Sequence, residues 1–224
     1  MSPDLTCGPK SSARLSVLPN MLRILFAEPK AAVAGPAIFI DRDGVINCRR
    51  LGDYVLEWSQ FIFVPGIRDA LKHLATLGLP IIVISNQAAV GKGLLDQAGL
   101  EEITARMQQA FVSHGASFAA AYYCIHRPDE NCPCRKPKPG LLEKAAGDFH
   151  IDLRRSIFIG DSESDVQAAR AAGCQPVLFG GPDIFSDSTR LNLPTAVTAD
   201  ALFDVAAKLL QRGGEAQAGS DPAL

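Results

Sequence analysis

Nowhere does this sequence hold an apolar run approaching the roughly 20 residues that a membrane-spanning helix needs. Nor is one charge in surplus: 22 Lys and Arg face 24 Asp and Glu, a net charge of −2. That balance excludes the strongly basic surface of a nucleic-acid or anionic-membrane binder. Internal repeats and low-complexity tracts are absent, which excludes a repeat architecture. The first 36 residues carry no clear secretory signal, because Pro19 and Pro29 interrupt their short apolar stretches. The expected location is cytoplasmic. The expected partner is a small soluble molecule, with neither nucleic acid nor membrane, and the expected state is a monomer.

What is there begins with Ile38, Phe39 and Ile40, a short buried strand rich in β-forming side chains. The apolar run stops at Asp41, and Asp43 and Gly44 follow. Two carboxylates at the end of a buried strand are costly unless something pairs with them. Further apolar runs at 80–85, 119–124, 157–160 and 176–179 read as strands. Helical spacing appears at 67–77, 96–111, 141–149, 164–172 and 202–209, with Asp96 a cap for the second of these and Gly173 a stop for the fourth. Alternating strands and helices predict an α/β, Rossmann-like three-layer fold with a central parallel sheet. In such sheets ligands sit outside the carboxyl ends of the strands, where Asp41, Ser85 and Asp161 fall. The 43 residues between Asp41 and Ser85 leave no room for a large cap domain. The domain itself is expected over 37–212. Residues 1–36 read as a loosely ordered extension in which Met21 could be an alternative start, 48–66 as an irregular loop flanking a pocket, 86–93 as a loop, and 213–224 as a frayed tail.

These positions suit phosphate-ester hydrolysis through a covalent intermediate. Asp41 is placed as nucleophile. Asp43, two residues on, is placed to protonate the leaving oxygen and then deprotonate the attacking water. Mg²⁺ would sit on the side chains of Asp41 and Asp161 and the backbone carbonyl of Asp43. Ser85 and Lys136 would stabilise the phosphoryl group. Each has a plainer reading: a turn, a strand end, a solvated basic loop, a helix cap over Asp161–Asp165. Their ordered joint occurrence behind apolar strands favours the catalytic one. A non-catalytic zinc-stapled binding domain would lack one of these groups, and none is lacking.

Cys124, His126, Cys132 and Cys134 offer three thiolates and one imidazole within eleven residues, a complete tetrahedral set for a structural Zn²⁺. Ordinary free cysteines, or a disulfide such as Cys124–Cys132, are the alternatives. The 124–134 loop ends against Arg135 and Lys136, so a metal there would fix both side chains. Cys7, Cys48 and Cys174 read as free thiols, and His73, His114 and His150 as non-catalytic.

Four segments, 39–47, 84–87, 135–139 and 159–162, resemble the motifs of haloacid dehalogenase superfamily phosphatases. More narrowly, the chain resembles the D-glycero-D-manno-heptose 1,7-bisphosphate 7-phosphatases and the related histidinol-phosphate phosphatases, over about residues 37–210. The resemblance implies the roles given above for Asp41, Asp43, Ser85, Lys136 and Asp161. It also implies a zinc loop before the Arg-Lys motif and substrate contacts at Asn47, Asn86, Gln87 and Arg135. Gly52 to Val55 with Pro65 and Gly66 lean toward the heptose group. Val45 stands where that pattern usually has Thr, Ala88 and Ala89 where Gly is common at the second position, and the N-terminal extension has no counterpart.

Overall fold

Ile38, Phe39 and Ile40 are wholly buried, and they divide between two cores. Ile38 and Ile40 face one, Phe39 the other. This follows from the two-residue period of a strand in a sheet covered on both faces. The structure, a computed structural model, describes residues 14–18, 21–28, 34–50, 52–180 and 197–218.

In chain order the elements are β1 (Arg14–Leu18), β2 (Met21–Leu25), β3 (Ile38–Ile40), α1 (Ile67–Ala75), β4 (Ile81–Asn86), α2 (Ala88–Gly91), α3 (Gln97–Val112), β5 (Ala120–Cys124), α4 (Gly140–Phe149), β6 (Ile157–Gly160), α5 (Glu163–Ala172), β7 (Gln175–Leu178) and α6 (Ala199–Ala218). The sheet order is β1-β2-β5-β4-β3-β6-β7. The last five of these pair in parallel, and β1 and β2 add an antiparallel edge on β5. Helices α1, α3 and α6 cover one face through Leu71, Phe111 and Leu202. Helices α4 and α5 cover the other through Leu142 and Ala169. Each Leu or Phe among these contributes about 1.5–3 kcal/mol by leaving water. The three-layer fold expected from the sequence is present. Among the described residues no helix is long and apolar enough to cross a membrane.

Three expectations are corrected. Within 1–36, residues 14–18 and 21–25 form a hairpin rather than a loose extension; residues 1–13, 19–20 and 29–33 lie outside the described residues. The reason is visible in β2: Leu22 and Ile24 are buried in one core while Met21 and Leu25 pack against the other. The 213–224 tail is helical through Ala218, as Glu, Ala and Gln favour, and residues 219–224 lie outside the described residues. The 86–93 loop holds one helical turn, α2.

No cap domain interrupts the described chain between β3 and α1, only the single 3₁₀ turn Trp58–Gln60. Aromatic contacts fix this irregular segment. Trp58 stacks on Phe61 at 5.0 Å, Phe61 meets Phe63 edge-on at 5.3 Å, and Phe63 meets Phe111 of α3 at 5.5 Å.

Candidate active site and Cys-His centre

Strands β4, β3 and β6 are neighbours, so their carboxyl ends bring Ser85, Asp41 and Asp161 side by side. The first turn of α5 adds Asp165. Carboxylate oxygens of Asp41, Asp161 and Asp165 lie within 4.8 Å of one another, and all three residues are buried. Lys136 enters between them, its Nζ 2.8 Å from Asp41 Oδ1 and 2.6 Å from Asp165 Oδ1. One ammonium does not balance three buried carboxylates. Burial pushes Asp41 up to about 6, against the pull of Lys136 and with the help of Asp165. Burial and then Asp41 push Asp161 up to about 7. Asp161 Oδ1 is buried with no partner among the described residues. A compact all-oxygen set short of positive charge fits a hard divalent cation such as Mg²⁺.

Asp43 is held differently. Arg42, almost wholly buried, donates to both of its oxygens at 2.9–3.3 Å. Asn47 Nδ2 donates to Oδ1 at 2.9 Å and Gln87 Nε2 to Oδ2 at 2.7 Å. Burial alone would raise this carboxyl, but Arg42, Asn47 and Gln87 together hold it below the usual range. Asn47 and Gln87, expected at the substrate, are instead buried behind Asp43, and Gln87 also donates to Ser85 Oγ at 3.2 Å. Asp43, expected to offer a cation its backbone carbonyl, keeps its carboxylate outside the acidic cluster, whose third member is Asp165. Asn86 does line the cleft. It also exchanges two hydrogen bonds with the Lys136 backbone, at 3.1 and 3.2 Å, which tie the lysine to the end of β4.

Above these groups opens a cleft of about 540 Å³. Asp41, Ser85 and Lys136 form its floor, and Arg49, Arg50, Tyr54 and Arg135 line it too. Arg49 Nη1 reaches Asp161 Oδ2 at 3.1 Å. Arg135 Nη1 is buried with no hydrogen-bond partner among the described residues.

Beside the cleft, β5 ends at Cys124. Cys124 Sγ lies 3.6 Å from Cys132 Sγ and 3.5 Å from His126 Nδ1. Cys134 Sγ lies 3.5 Å from Cys132 Sγ and 3.3 Å from His126 Nδ1. A disulfide needs about 2.05 Å, so the Cys124–Cys132 bridge is excluded. Thiolates on a tetrahedral Zn²⁺ stand about 3.8 Å apart, close to these separations. A hydrogen bond from Cys134 lowers the Cys124 thiol to about 5, and the same contact raises Cys134. The donor set fits zinc.

The comparisons with known proteins agree with this geometry. A family described as HAD-hydrolase-like matches residues 133–198. The D-glycero-β-D-manno-heptose-1,7-bisphosphate 7-phosphatase of Pseudomonas aeruginosa is 39% identical over 141 residues, covering 63% of this chain and 79% of that protein. The Escherichia coli protein of that name is 38% identical over 144 residues, covering 61% and 74%. Among solved structures, a D,D-heptose 1,7-bisphosphate phosphatase from B. bronchiseptica, complexed with magnesium and phosphate, superposes with a TM-score of 0.70 at 33% identity. It covers 79% of this chain and 99% of that one. The chain belongs to the heptose-bisphosphate phosphatase family of HAD hydrolases.

Three residues that engage this HAD phosphatase site were missed from the sequence. Asp165 had a signal, its four-residue spacing from Asp161 at a helix start, which also reads as an ordinary cap. Indeed its Oδ2 accepts from Ser162. Arg42 and Arg49 had none, because a loop arginine beside an acidic motif reads as surface charge; the fold buries Arg42 and brings the exposed Arg49 to Asp161.

Proposed function

We propose that this chain is a Mg²⁺-dependent phosphatase that removes the 7-phosphate of D-glycero-D-manno-heptose 1,7-bisphosphate, leaving the 1-phosphate. The observation that carries the reading is the pairing of an acidic, cation-seeking floor with an arginine wall in one open cleft. The floor suits one phosphoryl group undergoing transfer. Arg49, Arg50 and Arg135 suit a second phosphate on the same small molecule. Histidinol phosphate offers one phosphate and a cationic amine, which that wall would repel.

In the mechanism, an Asp41 oxygen attacks phosphorus as the bond from phosphorus to the sugar O7 breaks, giving an aspartyl-phosphate. Asp43 supplies the proton to O7. Water then attacks the aspartyl-phosphate, its proton passes to Asp43, and inorganic phosphate leaves. Arg42, Asn47 and Gln87 hold Asp43 below the usual carboxylate range, which favours the carboxylate that the second step uses. Lys136 and Ser85 steady the phosphoryl oxygens. Asp41, Asp161 and the Asp43 carbonyl would hold Mg²⁺, with Asp165 beside them, and the cation would supply the positive charge that lets two anions meet. Cys124, His126, Cys132 and Cys134 would hold a Zn²⁺ that fixes the loop presenting Arg135 and Lys136. Asn47 and Gln87 serve by aiming Asp43.

The test is a comparison of kcat/KM for heptose 1,7-bisphosphate and histidinol phosphate with Mg²⁺ present. The reading expects strong preference for the bisphosphate, and a preference for histidinol phosphate overturns it. Asp41→Asn should abolish turnover with the fold intact.

A further inference from the structure

The hairpin ahead of β3 touches both elements between which the Cys-His segment is strung. Strand β2 pairs with β5 along its whole length, Met21 standing opposite Cys124 and Arg23 opposite Tyr122. The contact continues past the strand, where Phe26 N and Ala27 N donate to Ala119 O. Arg23 Nη1 then reaches across to α4 and donates to Asp148 Oδ2 at 2.6 Å. Tyr122 of β5 donates to the same oxygen at 2.8 Å, and Lys144 closes the group from α4. One carboxylate thus joins β2, β5 and α4.

The chain leaves β5 at Cys124 and enters α4 at Gly140. Everything between, the Cys-His centre and then Arg135 and Lys136, hangs from those two points. The segment is packed without slack. A Cβ on Gly140 would stand 2.6 Å from Pro133 O, and one on Gly91 2.4 Å from Ile125 O. A shift of α4 against β5 would therefore pass into the segment rather than be absorbed by it. Lys136 lies inside that segment, tied by its backbone to Asn86 and by its ammonium to Asp41, Asp165 and Ile84 O, so displacement of the segment would strain those contacts.

We propose that β2, acting through Arg23 and Asp148, is a brace that clamps β5 to α4 and so positions the 124–140 segment, Lys136 included. The proposal rests on the reading of Lys136 as a phosphoryl-stabilising group, but the brace itself is measurable without substrate. Arg23 is on this account a positioning residue, remote from the chemistry.

The experiment compares amide hydrogen exchange of peptides covering 120–138 in the full chain, in Arg23→Ala, in Arg23→Lys and in Leu209→Ala. The last is a control on α6, which packs against the opposite face of the sheet. Arg23→Ala should speed exchange in 120–138 by about tenfold or more, with little change in α1 and α3 peptides. Arg23→Lys should restore much of the protection. Leu209→Ala should not reproduce the pattern. In turnover, Arg23→Ala should lower kcat with KM nearly constant, since Lys136 acts on the transition state. Unchanged exchange in Arg23→Ala overturns the brace, as does equal acceleration in Leu209→Ala. A wild-type protein inactive on every phosphate ester would sink the functional reading and leave the exchange result to decide the brace alone.

Discussion

Gly44 lies so close to Asp161 that a Cβ at residue 44 would stand 1.9 Å from Asp161 Oδ2. The same glycine has φ +98°, outside the range a side chain tolerates without strain. Backbone leaving β3 is thus pressed against the carboxylate at the end of β6, which is what builds one site from two distant motifs. Gly44→Ala should push Asp161 aside. A displacement near 1 Å costs about 100-fold in rate, and backbone strain adds about 1–3 kcal/mol of lost stability. Turnover and Mg²⁺ titration by calorimetry on the purified variant check both. Full activity in Gly44→Ala would mean the close approach has no catalytic meaning.

Lys136 stands between Asp41 and Asp165, and its position depends on both. Asp165→Asn keeps the side-chain shape and the contact with the Ser162 turn but removes one of the two charges. Lys136 should then lean on Asp41, compete with the incoming phosphoryl group and dampen the nucleophile. The expected loss in kcat is about 10–100-fold, the range typical when a supporting partner of a site is removed. KM should change less. Equal kinetics for Asp165→Asn and the parent would show that Asp41 alone anchors the lysine.

Much of this arrangement was legible in the sequence, for a physical reason. Buried parallel strands are continuous apolar runs, and Asp41 and Asp161 mark where those runs end. The Cys-His set was legible because its ligands are local. Strand β2 was not, although Leu22, Arg23 and Ile24 alternate as a strand should. Five residues are too few to separate a strand from a loop, and the partner that decides it, β5, lies about a hundred residues away. Asn47 and Gln87 were assigned to substrate because they flank catalytic motifs. Sequence proximity does not tell which way an amide turns, and here both turn inward onto Asp43.

The Cys-His segment has little apolar core of its own, so metal should carry much of its order. Metal analysis of the purified chain should find about one zinc per protein. Removing it with a strong chelator, or Cys132→Ser, should lower the melting temperature and cut kcat by at least about tenfold through loss of the Arg135 and Lys136 geometry. Added zinc should restore the chelated protein and not the variant. A zinc-free protein with unchanged melting and turnover would leave the loop held by packing alone.

The Asp148 cluster sets a pH dependence of stability. Burial would raise this carboxyl, but Lys144, Arg23 and Tyr122 together hold it below the usual carboxylate range. The folded state therefore binds that proton more weakly than the unfolded chain does. Stability from the cluster is fully present above about pH 4, the unfolded value. It is lost as pH falls through the lower folded value. Asp148→Asn should accordingly cost stability at pH 7, about 1 kcal/mol once solvent screening of this partly exposed group is counted. The cost should shrink as pH falls below about 4, because the unfolded parent takes up its proton first and the folded carboxyl follows at lower pH. Urea unfolding of both proteins at pH 7, 5 and 3 measures the difference. A gap that stays constant across those pH values would show that the Asp148 contacts act through shape and not through charge.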